Sequence, residues 1–271
     1  MEILSSTSNP KIKRLVALQQ KSSERRESSL FVVEGRRELG HCLDSGFEVD
    51  TLFVCPEILG GADIAGDIAA AAFPDKAARE KKAFEVSPAV YSKIAYREGT
   101  EGVIAQVRYK ELSLEDLKAG KNPLVIVVES VEKPGNLGAI LRSADAAGAD
   151  AVIMCDPLTD IFNPNLIRAS IGAVFTVPTV ACSSAEAIKW LKENRIQILT
   201  AQLQDSRWYY DTDMRKGTAI VIGTEATGLS DQWREAADAH IRIPMLGQLD
   251  SLNASVSAAI LLFEAVIQRN E

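Results

Sequence analysis

Apolar and polar positions alternate in short blocks along this chain. Leu30 to Val33 is a short apolar run that ends at Glu34-Gly35 and predicts a buried strand. Ser8-Asn9-Pro10 has the form of a helix start, with proline at the first helical position, and Ile12, Leu15, Val16 and Gln19 follow near helical spacing. A helix through Leu39 and Leu43 stops near Gly46, and Val49 to Val54 reads as a second strand. An alanine-rich helix covers roughly Ile64 to Ala72. Phe84 to Val86 is strand-like, Ser87-Pro88 opens another helix, and Gly102 to Val107 is the last strand of this half. Strand and helix alternate, which predicts a small α/β unit.

Tyr109 to Asn122 is charged, carries Gly120, and predicts a linker with a short helix at Ser113 to Lys118. The second half opens with Leu124-Val125-Ile126-Val127-Val128, an uninterrupted apolar run of the kind that suits a parallel strand covered on both faces. Glu129 to Gly135 reads as a loop, and a helix follows from about Asn136 to Ala147. The pattern then predicts a strand at Val152 to Met154, a helix at Asn163 to Ala169 and an extended segment at Val174 to Val177. A helix at Ala185 to Asn194 and strands at Ile196 to Ala201 and Ala219 to Ile222 come next. A short helix at Asp231 to Ala236, a strand at Ile241 to Ile243 and a terminal helix reaching Ile267 complete the series. The expectation is an α/β sheet with helices on both faces.

Composition narrows the class. The chain has 271 residues, 46% of them hydrophobic, enough for one large domain or two small ones. No apolar run reaches the length of a membrane span, and Met1-Glu2-Ile3 lacks the basic and apolar regions of a signal peptide. Cys42, Cys55, Cys155 and Cys182 are far apart, which argues for free thiols in a reducing cytoplasm and against structural zinc. His41 and His240 have no near partner of metal-ligand type and read as structural. The net charge of −7 argues mildly against indiscriminate nucleic-acid binding. Lys11, Lys13, Arg14, Lys21, Arg25, Arg26, Arg36 and Arg37 nevertheless crowd the first forty residues, as either a solvated helical face or a phosphate-contacting one.

Three stretches carry chemistry. In Lys133 to Ala144, Leu137, Ile140, Leu141 and Ala144 share one helix face and Arg142 falls opposite, with Pro134, Gly135 and Gly138 keeping the entry tight. Arg142 there is either a solvated arginine or one presented to a phosphate or ribose. In Ile222 to Ser230, Gly223 permits close backbone approach, and Glu225 either orients a ribose hydroxyl or favours an ordinary helix start. In Ile241 to Ala259, a strand stops at Pro244, a polar loop follows, and Ser251-Leu252-Asn253-Ala254-Ser255 opens a helix. Alone this is an ordinary β-to-α turn with a good cap. With the other two it is a ligand seat at the carboxyl ends of strands. No GxGxxG follows a strand, which argues against a dinucleotide-binding oxidoreductase.

Together, NLGAILRSA with Asn136 and Arg142, IGTEATGLS with Gly223, Glu225 and Gly228, and IPM…SLNASVSAA resemble the SpoU (TrmH-type) branch of the SPOUT RNA methyltransferases. Ala226 stands where that family commonly has glycine. The resemblance is specific over residues 123–271. It extends more loosely to the N-terminal half, where Ser8-Asn9-Pro10-Lys11-Ile12-Lys13 and Phe31-Val32-Val33-Glu34-Gly35 look like the family's ribosomal-protein-like RNA module. It implies an RNA substrate-binding domain at 1–108, a linker at 109–122 and a knotted methyltransferase domain at 123–271. The implied reaction moves a methyl group from S-adenosylmethionine to a ribose 2′-hydroxyl of structured RNA, without a metal. Ribosomal RNA is favoured over transfer RNA, and the implied state is a cytoplasmic homodimer joined through the C-terminal domain.

Cofactor contacts are implied for Thr200, Gly223, Ile243 and Leu252, and catalytic roles for Asn136, Arg142, Glu225, Ser251 and Asn253. Two roles stay open for Arg142: the base that takes the hydroxyl proton, which requires a pKa drop of roughly 5 units at a cost of about 7 kcal/mol, or a charged group that grips the adjacent phosphate. The alternative to an enzyme is a catalytically silent RNA-binding or ribosome-assembly factor on the same fold.

Overall fold

A computed structural model describes residues 1–96, 101–224 and 227–270. The chain divides into two compact units: Met1–Lys110 with Phe162–Gly172, and Glu111–Ile161 with Ala173–Glu271.

In the first unit the elements run β1 (Glu2–Leu4), α1 (Pro10–Gln20), α2 (Ser22–Ser28), β2 (Leu30–Glu34), α3 (Arg36–Asp44) and β3 (Val49–Val54). They continue with α4 (Pro56–Leu59), α5 (Ala62–Ala72), α6 (Lys76–Lys82), β4 (Ala83–Val86), α7 (Pro88–Ile94) and β5 (Val103–Arg108). The five strands lie in the order β1-β4-β3-β5-β2. The side chain of Asn9 caps α1 by accepting from the Lys11 N–H at 2.9 Å, with Pro10 in the first turn. Every residue of β2 is buried, and Phe31 stacks on Phe162 with ring centroids 4.2 Å apart. Of the N-terminal cations, Arg25 is not a surface charge: it is buried and donates to the carbonyl of Leu18 at 2.7 Å. The other seven named above are exposed.

The second chain half follows as β6 (Leu124–Glu129), α8 (Pro134–Ala146), β7 (Ala151–Cys155), α9 (Pro164–Ser170), α10 (Ala173–Thr176), β8 (Thr179–Cys182) and α11 (Ser184–Glu193). Then come β9 (Gln197–Ala201), β10 (Arg207–Trp208), β11 (Thr218–Ile222), α12 (Asp231–Ala236), β12 (Ala239–Arg242) and α13 (Ala254–Asn270). Of these, α9 belongs to the first unit. The seven strands of the second unit lie in the order β10-β12-β9-β11-β6-β7-β8, and every neighbouring pair is parallel. At its centre β6 is buried at all of its positions, because helices cover both faces of a parallel sheet.

Three local expectations need correction. Val174 to Val177 is not extended: Ala173–Thr176 is helical, and the strand forms beyond Pro178, at Thr179–Cys182. Pro134 and Gly135 lie inside α8 rather than in the loop before it, since proline at the first helical position needs no N–H. The segment after Tyr109 holds a single 3-10 turn, Leu114–Asp116, closed by a reciprocal Ser113–Asp116 capping box.

Candidate active site

The carboxyl ends of β12, β9 and β11 are neighbours in the sheet and open onto one cavity of about 410 Å³. This is where open α/β sheets place ligands, and the volume suits a cofactor-sized molecule. Gly223, Ile243, Ser251 and Leu252 all line it. Thr200 does not. It is fully buried, with its hydroxyl 2.6 Å from Nδ1 of His240, while the next residues, Ala201 and Gln202, reach the cavity. Met245, named only within the IPM motif, and Arg234 and Arg242, which sequence reasoning did not single out, also line it. Their signal was position alone, since Arg242 ends β12 and Met245 follows it by three residues. The guanidinium of Arg242 lies over the ring of Trp208, 4.2 Å from the centroid.

The wall supplied by the β11 loop depends on glycine. A Cβ on Gly223 would lie 2.4 Å from both the carbonyl carbon and oxygen of Gly228, and 2.7 Å from the Leu229 nitrogen. No backbone can approach a side chain that closely, so only glycine lets the two limbs of this loop touch. Thr224 and Gly228 exchange backbone hydrogen bonds of 3.3 and 3.1 Å, which close the turn. Gly228 has φ +68°, a left-handed conformation that favours glycine again. Glu225 lies outside the described residues.

Beside the cavity, Nδ2 of Asn253 donates to Oδ1 of Asn136 at 3.0 Å. Asn253 immediately precedes α13, and its Oδ1 accepts from the Ser255 N–H at 3.0 Å and the Ser255 hydroxyl at 2.6 Å. Asn136 sits in the first turn of α8, which packs against α13. Arg142 lies six residues further along the same helix, about 9 Å along its axis. The apolar face of α8 is buried as Leu137, Ile140, Leu141 and Ala144, which leaves Arg142 exposed. Among the described residues Arg142 has no hydrogen-bond or ion-pair partner. The hydroxyl of Ser251 is 3.3 Å from the carboxylate of Asp250.

These residues fit S-adenosylmethionine. Ile222, Leu229, Ile241, Ile243 and Leu252 give the cavity apolar surface for an aromatic base, and the bare backbone at Gly223 leaves room that a side chain would fill. Beside the cavity the site offers a second substrate the neutral amides of Asn136 and Asn253, suited to a sugar hydroxyl, while Arg142 does not line the cavity.

Residues 123–263 match the SpoU rRNA Methylase family, and residues 9–105 match the MRM3-like substrate binding domain. The 23S rRNA (guanosine(2553)-2′-O)-methyltransferase RlmP of Bacillus subtilis is 27% identical over 263 residues, covering 97% of this chain and 98% of that protein. A crystal structure of an RNA 2′-O ribose methyltransferase superimposes with a TM-score of 0.83 at 39% identity, over 100% of both chains. The AdoMet-bound rRNA methyltransferase from Sinorhizobium meliloti gives a TM-score of 0.87 at 30% identity, over 97% of both chains. A family match over more than half its length and full-length structural kinship agree: the chain belongs to the SpoU rRNA methylase family.

Proposed function

We propose that this protein transfers the methyl group of S-adenosylmethionine to a ribose 2′-hydroxyl of ribosomal RNA. The observation that carries the reading is the meeting of two sequence-distant loops and one helix at the mouth of a single cavity: Gly223 and Leu252 line it, and the Asn136–Asn253 bond stands beside it. The names of the relatives, which act on 23S rRNA or are called rRNA methyltransferases, support the substrate.

Gly223, Ile243 and Leu252 would hold the cofactor, and Ala201 and Gln202 extend the seat beyond Thr200. The cofactor supplies an electrophilic methyl group on a sulfonium, whose positive charge disappears on transfer. The protein's own work is then to place the hydroxyl in line with the methyl group and stabilise the oxygen as its proton passes to solvent. Asn136 and Asn253, locked to each other, would hold the ribose, and Ser251 would shape the loop next to them. We assign the exposed Arg142 guanidinium, a fork of N–H donors, to the phosphate beside the target ribose and to the oxygen as negative charge develops. Glu225 keeps its proposed role of tying the loops together.

The unit containing β1 to β5 would carry the RNA, through exposed cations such as Lys13, Arg14, Arg26 and Arg37. We also read the methyltransferase unit as knotted and as the dimerising part. Val256, Ile260, Phe263 and Ile267 recur at helical spacing on α13, and Phe263 is 42% exposed despite its size. Leu246, on the loop beside the cavity, is 98% exposed. A second copy covering these side chains would also cover the site. Four free cysteines and an rRNA substrate agree with the cytoplasm.

The test is transfer of labelled methyl groups from S-adenosylmethionine to purified rRNA, followed by alkaline hydrolysis. Label in alkali-resistant dinucleotides establishes 2′-O-methylation. Label released as mononucleotides would move the reaction to a base, and absence of cofactor binding by calorimetry would favour a silent RNA-binding protein.

A further inference from the structure

Glu129, the last residue of β6, is buried and does not line the cavity. Its carboxylate nevertheless holds one residue at two points. Oε2 accepts from the N–H of Ser230 at 2.8 Å, and Oε1 accepts from the Ser230 hydroxyl at 2.6 Å. The Ser184 hydroxyl also approaches Oε1, at 3.3 Å, but it has a single proton and lies 2.6 Å from Oδ2 of Asp156. That shorter contact takes the proton, and Trp233 Nε1 donates to the same Ser184 oxygen at 3.0 Å. Glu129 is therefore committed mainly to Ser230.

Ser230 is the residue before α12, the position where serine ordinarily caps a helix. Its side chain makes no cap bond here, because the hydroxyl is turned to Glu129 instead. The local sequence thus gives up a helix cap to hold residues 227–230 against the sheet. Those residues are the returning limb of the loop whose backbone lies against Gly223, and Thr227, Gly228 and Leu229 all line the cavity.

We propose that Glu129 is a positioning residue for the cofactor: by clamping Ser230 at both its amide and its hydroxyl, it fixes the Gly228–Leu229 limb and so sets the wall of the cavity. This rests on the reading of that cavity as the S-adenosylmethionine seat. A carboxylate suits the task because both of its oxygens accept and both bonds are charge-assisted, whereas an amide of the same shape accepts through one oxygen only and makes the Ser230 hydroxyl turn round to accept from its N–H, two weaker neutral bonds.

The experiment measures cofactor affinity by calorimetry, thermal midpoint, and steady-state methyl transfer to rRNA for Glu129→Gln, Ser230→Ala and the double variant. A core variant away from the cavity, Val180→Ala on the β8 edge of the sheet, serves as the control for general destabilisation. The clamp predicts that each single variant weakens S-adenosylmethionine binding about tenfold, that the double variant is no worse than either, and that kcat at saturating cofactor stays within about threefold of wild type. Val180→Ala lowers the midpoint without moving Kd. Wild-type affinity in Glu129→Gln would overturn the proposal. So would additive losses in the double variant, or a Kd that tracks the midpoint in all variants, Val180→Ala included. Wild-type protein that binds no cofactor would overturn the underlying reading of the cavity, and the clamp with it.

Discussion

Asn253 donates through Nδ2 to Oδ1 of Asn136, 3.0 Å away and 117 positions earlier in the chain. The orientation of the Asn253 amide is set from its other side, where Oδ1 accepts the Ser255 N–H and hydroxyl at the start of α13. One side chain therefore begins a helix and bridges to another helix. The two tasks separate in Asn253→Asp, which keeps the accepting oxygen for the cap and replaces the bridging donor with a second acceptor facing Asn136. We expect Asn253→Asp to stay within about 0.5 kcal/mol of wild-type stability by denaturant unfolding and to lose methyl transfer about tenfold or more. Asn253→Ala should lose the transfer and, in addition, about 1 kcal/mol of stability with the cap. Equal stability losses in the two variants would contradict this division.

Gly223 makes the second prediction. Alanine there must displace the Gly228 backbone, since its Cβ would sit 2.4 Å from the carbonyl. Overpacking of that kind costs about 1–3 kcal/mol. The shift would also deform the cavity wall, so cofactor binding by calorimetry should weaken far more than unfolding stability suggests. Gly135→Ala is the matched comparison, because a Cβ there meets nothing within 4 Å. It should leave stability and cofactor binding near wild type.

The apolar stripe on α13 predicts self-association. Glutamate in place of Phe263 or Ile267 should convert a dimer to monomer in sedimentation at micromolar protein, because an unpaired carboxylate in an apolar interface costs several kcal/mol. Methyl transfer should fall in parallel if the partner completes the site. A wild-type protein that sediments as a monomer would contradict the assembly.

Cysteine chemistry gives a pH-dependent check. Burial pushes the Cys42 thiol up to about 12, so almost no thiolate exists there at pH 8. Cys155 and Cys182 are register partners on β7 and β8, so the two thiols are close enough to titrate as a pair. That pairing holds Cys182 below the ordinary thiol value and, with burial, raises Cys155. Alkylation by iodoacetamide at pH 8, read by mass spectrometry, should modify Cys182 first among these three and leave Cys42 intact until the protein unfolds. Faster labelling of Cys42 than of Cys182 would contradict the structure.

Much of this architecture is written in local pattern. Leu124 to Val128 shows itself as a central strand because a parallel sheet covered on both faces needs apolar residues at every position. The face of α8 that leaves Arg142 outside is legible at helical spacing. Val174 to Val177 misleads because a short apolar, β-branched run suits a buried helical turn as well as a strand, and tertiary packing decides between them. What brings the site together is not local. β12, β9 and β11 are neighbours in space and not in sequence, so Ala201, Arg242 and Gly223 share a cavity that no spacing reveals. The resemblance supplied that convergence. Glu129 reads as the start of a loop, and its bond to Ser230 spans 101 positions.

Arg142 offers the most direct measurement. It is exposed and, among the described residues, engages nothing, so its removal should leave unfolding stability within about 0.5 kcal/mol of wild type. Single-turnover methyl transfer to rRNA, with cofactor and RNA both saturating, isolates its part in the reaction. The account predicts that Arg142→Ala folds normally, binds S-adenosylmethionine with wild-type affinity, and transfers methyl at least about a hundredfold more slowly. Full single-turnover rates in that variant, with label still in alkali-resistant dinucleotides, would contradict the assignment of this site.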